Sequence, residues 1–242
     1  MKTVILLAGK GRRMQVEYEG VHKALLPLNG KPLLFYLIDN IRKAGVEEIV
    51  PVLGYKGDEV LAYINQYAED LKVYPVWNHS YLETNNLVSL LQAEKVVAGE
   101  DFIQINGDMV FDYRIITKLL NADHSAIAVD ITHYSQQLDS PRVLIQDEMI
   151  RDLGRHMTIE EANGYAVGLY RFSNTLASVF FKMSKELVQD NPQMGFHEPL
   201  RFLFHRYNII PVITDDMLWM DVDEKADISR AESFLRGMEE NR

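Results

Sequence analysis

Thr3-Val4-Ile5-Leu6-Leu7-Ala8-Gly9-Lys10-Gly11-Arg12-Arg13-Met14 is the stretch on which the fold turns. Thr3 to Ala8 is a continuous, mostly apolar run ended by Gly9, the pattern of a strand buried on both faces of a parallel sheet. Beyond it, Gly9 and Gly11 remove side chains so that backbone N–H groups can approach oxygen, while Lys10, Arg12 and Arg13 neutralise negative charge. The loop therefore suits phosphates. It is not G-x-G-x-x-G, because position 14 is Met, nor the P-loop, because its glycines are too close together. An ordinary tight turn between a strand and a helix accounts for the same residues.

Working outward, Pro32 suits a first helical position, and Leu33, Leu34, Leu37, Ile38 and Ile41 form an apolar stripe closed by Arg42, Lys43 and Gly45. Glu48 to Leu53 reads as strand, Asp58 to Glu69 as helix, and Lys72 to Val76 as a short strand. Asn85 to Ala98 reads as helix, Asp101 to Asn106 as buried strand, Tyr113 to Leu120 as helix, and Ala126 to Ile131 as strand. This alternation predicts an α/β fold with a Rossmann-like, doubly wound sheet. From about Ser140 it stops. Arg142 to Gln146 and Met149 to Leu153 resemble a hairpin turning at Asp147 and Glu148. Tyr165 to Phe172 is a further strand, Thr175 to Val188 and Glu198 to His205 are helices, and Ile209 to Ile213 is a strand. After the extended segment Trp219 to Asp223, a last helix places Ile228, Ala231, Phe234, Leu235 and Met238 on one face. No repeat or Pro/Gly/Ser-rich linker divides the chain, so one domain over residues 1–242 with an irregular α+β second half is expected.

A chain of 242 residues, 47% hydrophobic and 25% charged, can build a full core and is neither disordered nor fibrous. Its net charge of −10 repels nucleic-acid backbones, so DNA and RNA are not expected partners. The absence of cysteine removes disulfides and thiolate chemistry and fits a cytoplasmic setting; no apolar run suggests a leader or membrane anchor. Positive charge is concentrated at the start. Residues 1–31 carry Lys2, Lys10, Arg12, Arg13, Lys23 and Lys31 against Glu17 and Glu19, where a small anion could be held. The alternative is a solvated basic face.

Two further motifs carry acid groups. In Ile105-Asn106-Gly107-Asp108 a carboxylate stands at the carboxyl end of a central strand, where open α/β sheets place ligands. In Trp219-Met220-Asp221-Val222-Asp223 the alternation puts Asp221 and Asp223 on one side of an extended segment. Magnesium commonly takes one or two protein carboxylates plus substrate phosphates, a pair that Asp108 and Asp223 could supply. Taken singly, Asp108 reads equally as a turn or cap residue and Asp223 as the cap of the last helix. The seven histidines show no zinc-binding spacing.

In this order the motifs resemble the nucleotidyltransferase superfamily. Leu7 to Met14, followed by His22-Lys23-Ala24-Leu25-Leu26, is similar to its signature A-A-G-x-G-x-R-M, spacer, P-K-x-L. Thr84-Asn85-Asn86-Leu87-Val88-Ser89-Leu90, Gly107-Asp108 and Met220-Asp221-Val222-Asp223 resemble later landmarks of cytidylyltransferases that act on small metabolites, such as phosphocholine. Leu7 stands for the first alanine, Arg12 for a serine or threonine, and His22 for the proline before the lysine. The resemblance implies a mixed sheet of the nucleotide-diphospho-sugar transferase type, with a nucleotide-binding half (1–135) and an acceptor-binding half (136–242). It implies catalytic roles for Arg13 and Lys23, and metal binding by Asp108 and Asp223 with Asp221 as a further candidate. Nucleotide contacts are expected from Leu7, Ala8, Gly9, Lys10, Gly11, Asn78, Thr84, Asn85 and Gly107, and acceptor contacts from Asp130, Tyr165 and Tyr170. Tyr113, Tyr134 and Trp219 are left between packing and binding.

The activity implied is magnesium-dependent transfer of CMP from CTP to a small phosphate or phosphonate acceptor, with release of pyrophosphate. Transfer to a sugar 1-phosphate, or a molybdopterin nucleotidyltransferase, are alternatives within the class; a nucleotide-sensing module without turnover is one outside it. A dinucleotide-dependent oxidoreductase lacks its third glycine. The sequence leaves the oligomeric state open, a homodimer being compatible with it.

Overall fold

The structure, a computed structural model, describes residues 1–132 and 140–240, so His133 and Tyr134 fall outside it. Its strands are β1 (Lys2–Leu7), β2 (Pro27–Leu28), β3 (Lys31–Pro32), β4 (Glu48–Leu53), β5 (Lys72–Val73), β6 (Val76–Trp77), β7 (Phe102–Asn106), β8 (Met109–Phe111), β9 (Ser125–Asp130), β10 (Arg142–Gln146), β11 (Met149–Gly154), β12 (Gly164–Phe172), β13 (Ile209–Ile213) and β14 (Trp219–Asp221). Among the described residues they make a ten-stranded mixed sheet whose main path runs β11-β10-β12-β7-β1-β4-β5. β7, β1, β4 and β5 are parallel, whereas β12 enters antiparallel to β7 and pairs with β9 and β10 as well. The doubly wound expectation holds, and strands from both halves of the chain share the sheet.

Helices cover both faces: α1 (Leu33–Lys43), α2 (Gly57–Tyr67), α3 (Asn86–Gln92), α4 (Glu94–Val97), α5 (Arg114–Leu120), α6 (Asn174–Asp190), α7 (His197–Leu203) and α8 (Lys225–Glu240). The stripe Leu34, Leu37, Ile38 and Ile41 of α1 is buried against Ile5, Ile49 and Ile103. Each such side chain stabilises the fold by roughly 1.5–3 kcal/mol. On the other face, Leu87 and Leu90 of α3, Phe180 and Phe181 of α6 and Leu200 of α7 pack on Val4, Val50 and Tyr170.

Two expected elements are broken. The strand over Lys72 to Val76 divides before Pro75, which has no N–H for a ladder. The helix over Asn85 to Ala98 divides at Ala93 into α3 and α4. The hairpin of β10 and β11 does turn at Asp147 and Glu148, both with positive φ, as a two-residue turn of that hand requires.

A third apolar cluster positions the site. Met14, Leu26, Leu28 and Leu33 from the early segment, Val110 from β8, Met220 and Val222 from the β14 arm, and Ala231 and Leu235 from α8 pack together. It holds the first loop against the late acidic motif.

Candidate active site

Strand β1 delivers the glycine loop at its carboxyl end. Leu7 and Ala8 are buried, so Leu7 contributes backbone and packing rather than an exposed contact. Gly9 faces open space, as a loop approached by a ligand requires. Gly11 is needed for a different reason. Its φ is +62°, and a Cβ there would lie 3.2 Å from Cβ of Lys23. A side chain at 11 would strain the turn and crowd the lysine stem. Lys10 sits 5.6 Å over the Tyr55 ring. Arg13 stays exposed, with Nη1 3.8 Å from Glu224, a contact that leaves it available to an anion.

Residues 23, 108 and 223 meet. Lys23, only 8% exposed in its side chain, donates from Nζ to Asp108 Oδ2 at 3.0 Å and also bonds Asp223 Oδ1. The two carboxylates remain 37% and 44% exposed. Gly107 makes the first approach possible, since a Cβ there would come within 2.4 Å of the Leu6 carbonyl. Its N–H bonds that carbonyl, and Val222 N–H bonds the Asp108 carbonyl at 2.8 Å, so the backbone fixes both acidic arms. Asp223 does not cap the last helix. Asp227 accepts from the N–H groups of Asp223 and Glu224 at 2.9 and 2.8 Å, leaving the Asp223 carboxylate to Lys23.

The electrostatics follow. Burial opposes charge on Lys23, but Asp108 and Asp223 outweigh it and hold the ammonium above the ordinary lysine range. Asp221 is pushed up to about 8 by removal from water and then by the negative charges of Asp108 and Asp223. Negative charge is therefore in excess here. A hard cation with oxygen preference fits two partly exposed carboxylates that already share one ammonium. Among the described residues no three His, Cys, Asp or Glu side chains are placed to hold a metal, so substrate oxygens would have to complete the shell.

Beside this junction opens a cleft of about 240 Å³ lined by Leu6, Ala8, Gly9, Tyr81, Thr84, Asn85, Asn86, Ser89, Asn106, Gly107 and Asp108. Five of the expected nucleotide contacts, Ala8, Gly9, Thr84, Asn85 and Gly107, are among these; Leu7, Lys10, Gly11 and Asn78 are not. Asn78 is 2% exposed and instead builds the wall, donating to Thr84 Oγ1 at 3.1 Å and Ser89 Oγ at 3.0 Å. The Asn85 side chain is also committed, accepting from Asn86 N–H and donating to the Gln193 carbonyl at 3.0 Å. Asn86 and Asn106 were passed over by sequence reasoning although both stand inside the motifs quoted above. Nothing in the sequence marks Tyr81.

The expected acceptor residues are corrected. Asp130, Tyr165 and Tyr170 are at most 1% exposed among the described residues: Tyr165 and Tyr170 lie on β12, which is paired along both edges, and Asp130 ends its neighbour β9. Tyr170 bonds His197 Nε2 at 2.7 Å. Burial drives His197 down to about 3 and holds the Tyr170 phenol above its ordinary value, so the hydrogen bond joins a neutral phenol and a neutral imidazole. Asp130 accepts from Trp219 Nε1 and Thr132 N–H, each at 2.8 Å. Trp219 is thereby a packing residue, 5% exposed; Tyr113 is half-buried at the start of α5.

The glycine loop and Asp108 thus line one cleft, and Lys23 and Asp223 join it through Asp108, an arrangement suited to nucleotidyl transfer. The chain belongs to the MobA-like NTP transferase domain family, whose profile matches residues 3–206. It is 26% identical over 250 residues to the CTP:phosphoglutamine cytidylyltransferase of Campylobacter jejuni, covering 94% of this chain and 98% of that protein. It is 25% identical over 234 residues to the bifunctional IPC transferase and DIPP synthase of Aquifex aeolicus, covering 96% of this chain but 51% of that protein, about half its length. The fold is similar to that of the inositol-1-phosphate CTP transferase from T. maritima, with a TM-score of 0.82 and 21% identity, covering 96% of this chain and 93% of that one. It is also similar to the CTP:phosphocholine cytidylyltransferase from Streptococcus pneumoniae, with a TM-score of 0.73 and 17% identity, covering 97% and 98%. Among the described residues no helix is long and apolar enough to cross a membrane.

Proposed function

We propose that this nucleotidyltransferase transfers CMP from CTP to a small metabolite bearing a phosphate or phosphonate, and that it requires magnesium. The observation that carries the reading is the meeting of Lys23 with Asp108 and Asp223 at the mouth of the cleft beside the glycine loop. An oxygen of the acceptor phosphate attacks the α-phosphorus, the new P–O bond forms, and the bond to the β-phosphate oxygen breaks with pyrophosphate taking the electron pair. The acceptor is ionised at neutral pH, so the protein supplies no nucleophile and alignment and charge neutralisation dominate.

Lys23 and the exposed Arg13 hold the triphosphate and offset charge on the leaving pyrophosphate, with Lys10 at the loop edge. Asp108 and Asp223 would hold the magnesium, with Asp221 behind them. When bound, the metal supplies Lewis-acid neutralisation of phosphate oxygens. CTP is favoured because a relative 26% identical and matched over nearly its whole length carries a cytidylyl-transfer name. An aromatic cage for a quaternary ammonium cannot come from Tyr165 or Tyr170, which lie in the core, so phosphocholine loses the support those residues would lend.

A matrix of nucleoside triphosphates against phosphocholine, 2-aminoethylphosphonate, inositol phosphate and hexose 1-phosphates, read as pyrophosphate release, tests the reading. CTP with one of the non-sugar phosphates or phosphonates should be preferred, and only with magnesium present. Preference for another triphosphate with a hexose 1-phosphate would replace it, and release from no pair would end it.

A further inference from the structure

We propose that His22 is a positioning residue for Lys23, tying the turn that carries the lysine to the end of the strand that carries the glycine loop. The inference rests on the transfer reading above and deepens it. His22 is 3% exposed. Its Nδ1 accepts the Ala24 N–H at 3.1 Å, capping the short turn Lys23–Leu25. A backbone N–H can only donate, so Nδ1 is unprotonated and the ring proton is on Nε2, which donates to the Leu7 carbonyl at 3.0 Å. One ring thus spans both halves of the cationic cluster: the residue before Ala8-Gly9 and the turn whose first residue is Lys23.

Other contacts converge on the same ring. It stacks on Tyr55 with centroids 6.3 Å apart and planes 24° from parallel. The Tyr55 hydroxyl donates to Gln15 Oε1 at 3.1 Å, and the ring lies under Lys10. Gly11 also passes close to the lysine stem. The backbone and stem of Lys23 are therefore held by these neighbours, and the ammonium reaches Asp108 and Asp223 from that base. Burial pushes the His22 imidazole below its ordinary value, in keeping with a neutral ring that both accepts and donates.

The backbone at His22, with φ −71° and ψ 133°, is one that proline would also adopt. Proline would set the turn by its ring alone and offer nothing to Leu7. In this chain two hydrogen bonds hold the turn instead, so function here depends on a side chain that supplies both.

Two measurements test this. Imidazole ¹⁵N shifts of the substrate-free protein should show His22 with its proton on Nε2; a proton on Nδ1 overturns the proposal without any turnover being needed. His22→Phe keeps ring volume and the stack on Tyr55 but loses both bonds, and should lower kcat by about 10–100-fold while KM for CTP changes less than about threefold. His22→Asn keeps the cap but is too short for Leu7, and should fall between Phe and wild type. Wild-type kcat in a folded His22→Phe overturns the proposal. If His22→Phe does not fold, His22→Asn decides it in the same way. Pyrophosphate release from no pair by the wild type defeats the transfer reading instead, and is told apart because the tautomer is read without substrate.

Discussion

Two regions of this molecule are each organised around aspartate carboxylates and have opposite consequences. Around Lys23, two carboxylates compete for one ammonium while remaining open to water. Around Asp130, one carboxylate is fully enclosed and accepts from Trp219 and Thr132, and the neighbouring strand pairs Tyr170 with His197. The first region has charge left over and space beside it; the second is satisfied and filled. An unbalanced, accessible cluster can bind, whereas a balanced and buried one holds the fold. The contrast leaves the strand-end cluster free to meet a ligand and makes the residues of β9 and β12 part of the packing.

Substitutions should separate the two. Asp223→Asn, or Asp108→Asn, should lower magnesium-dependent pyrophosphate release by roughly 10²–10³-fold, the cost of removing one preorganised charge, with little change in thermal midpoint. Wild-type turnover in both would make the junction structural. Lys23→Ala should reduce kcat/KM for the triphosphate by about 10²-fold, and unaltered kinetics would return the lysine to an ordinary ion pair. On the other side, Asp130→Ala leaves the Trp219 Nε1–H and the N–H and hydroxyl of Thr132 without their carboxylate and should cost roughly 2–4 kcal/mol in urea unfolding. Tyr170→Phe should cost only about 1–2 kcal/mol and leave acceptor KM unchanged. A clear rise in that KM with unchanged stability would move Tyr170 into the acceptor site.

The smallest effect is a pH dependence of stability. His22 and His197 are both held below 6.5, by burial first. Below that value the unfolded chain binds protons that the folded chain refuses, so the stability contributed by these rings is present above pH 6.5 and is lost as pH falls. Asp221, held up to about 8, contributes in the opposite sense as pH falls, so the effect of the rings is read as a difference: on going from pH 7.5 to 5.5 the thermal midpoint of His22→Phe or His197→Phe should gain relative to that of the wild type. Identical midpoint shifts in the wild type and in both variants would contradict the burial of the two rings.

Much of the fold was legible because it depends on local pattern. The run Thr3 to Ala8, the stripe on α1 and the turn at Asp147-Glu148 each declare their structure within a few residues. The site was legible in part. Asp108 and Asp223 could be named from their motifs, but Asp227 rather than Asp223 caps the last helix, and a spacing argument does not tell two such acids apart. Asn86 and Asn106 stood in quoted motifs without marking themselves as cleft residues, and the side chains of Asn78 and Asn85 are spent on the wall itself.

Composition and order of residues determined by themselves that this chain forms a doubly wound sheet with an anion-friendly loop after its first strand, since periodicity and glycine placement act over short distances. Only the tertiary structure decided which acids share a lysine, which tyrosines are packed away and which nitrogen of His22 bears the proton. Those outcomes depend on burial and on partners up to 200 positions apart along the chain, as between Lys23 and Asp223. A carboxylate or a phenol is the same in the sequence wherever it stands, and its role is set by the water and charges that folding leaves around it.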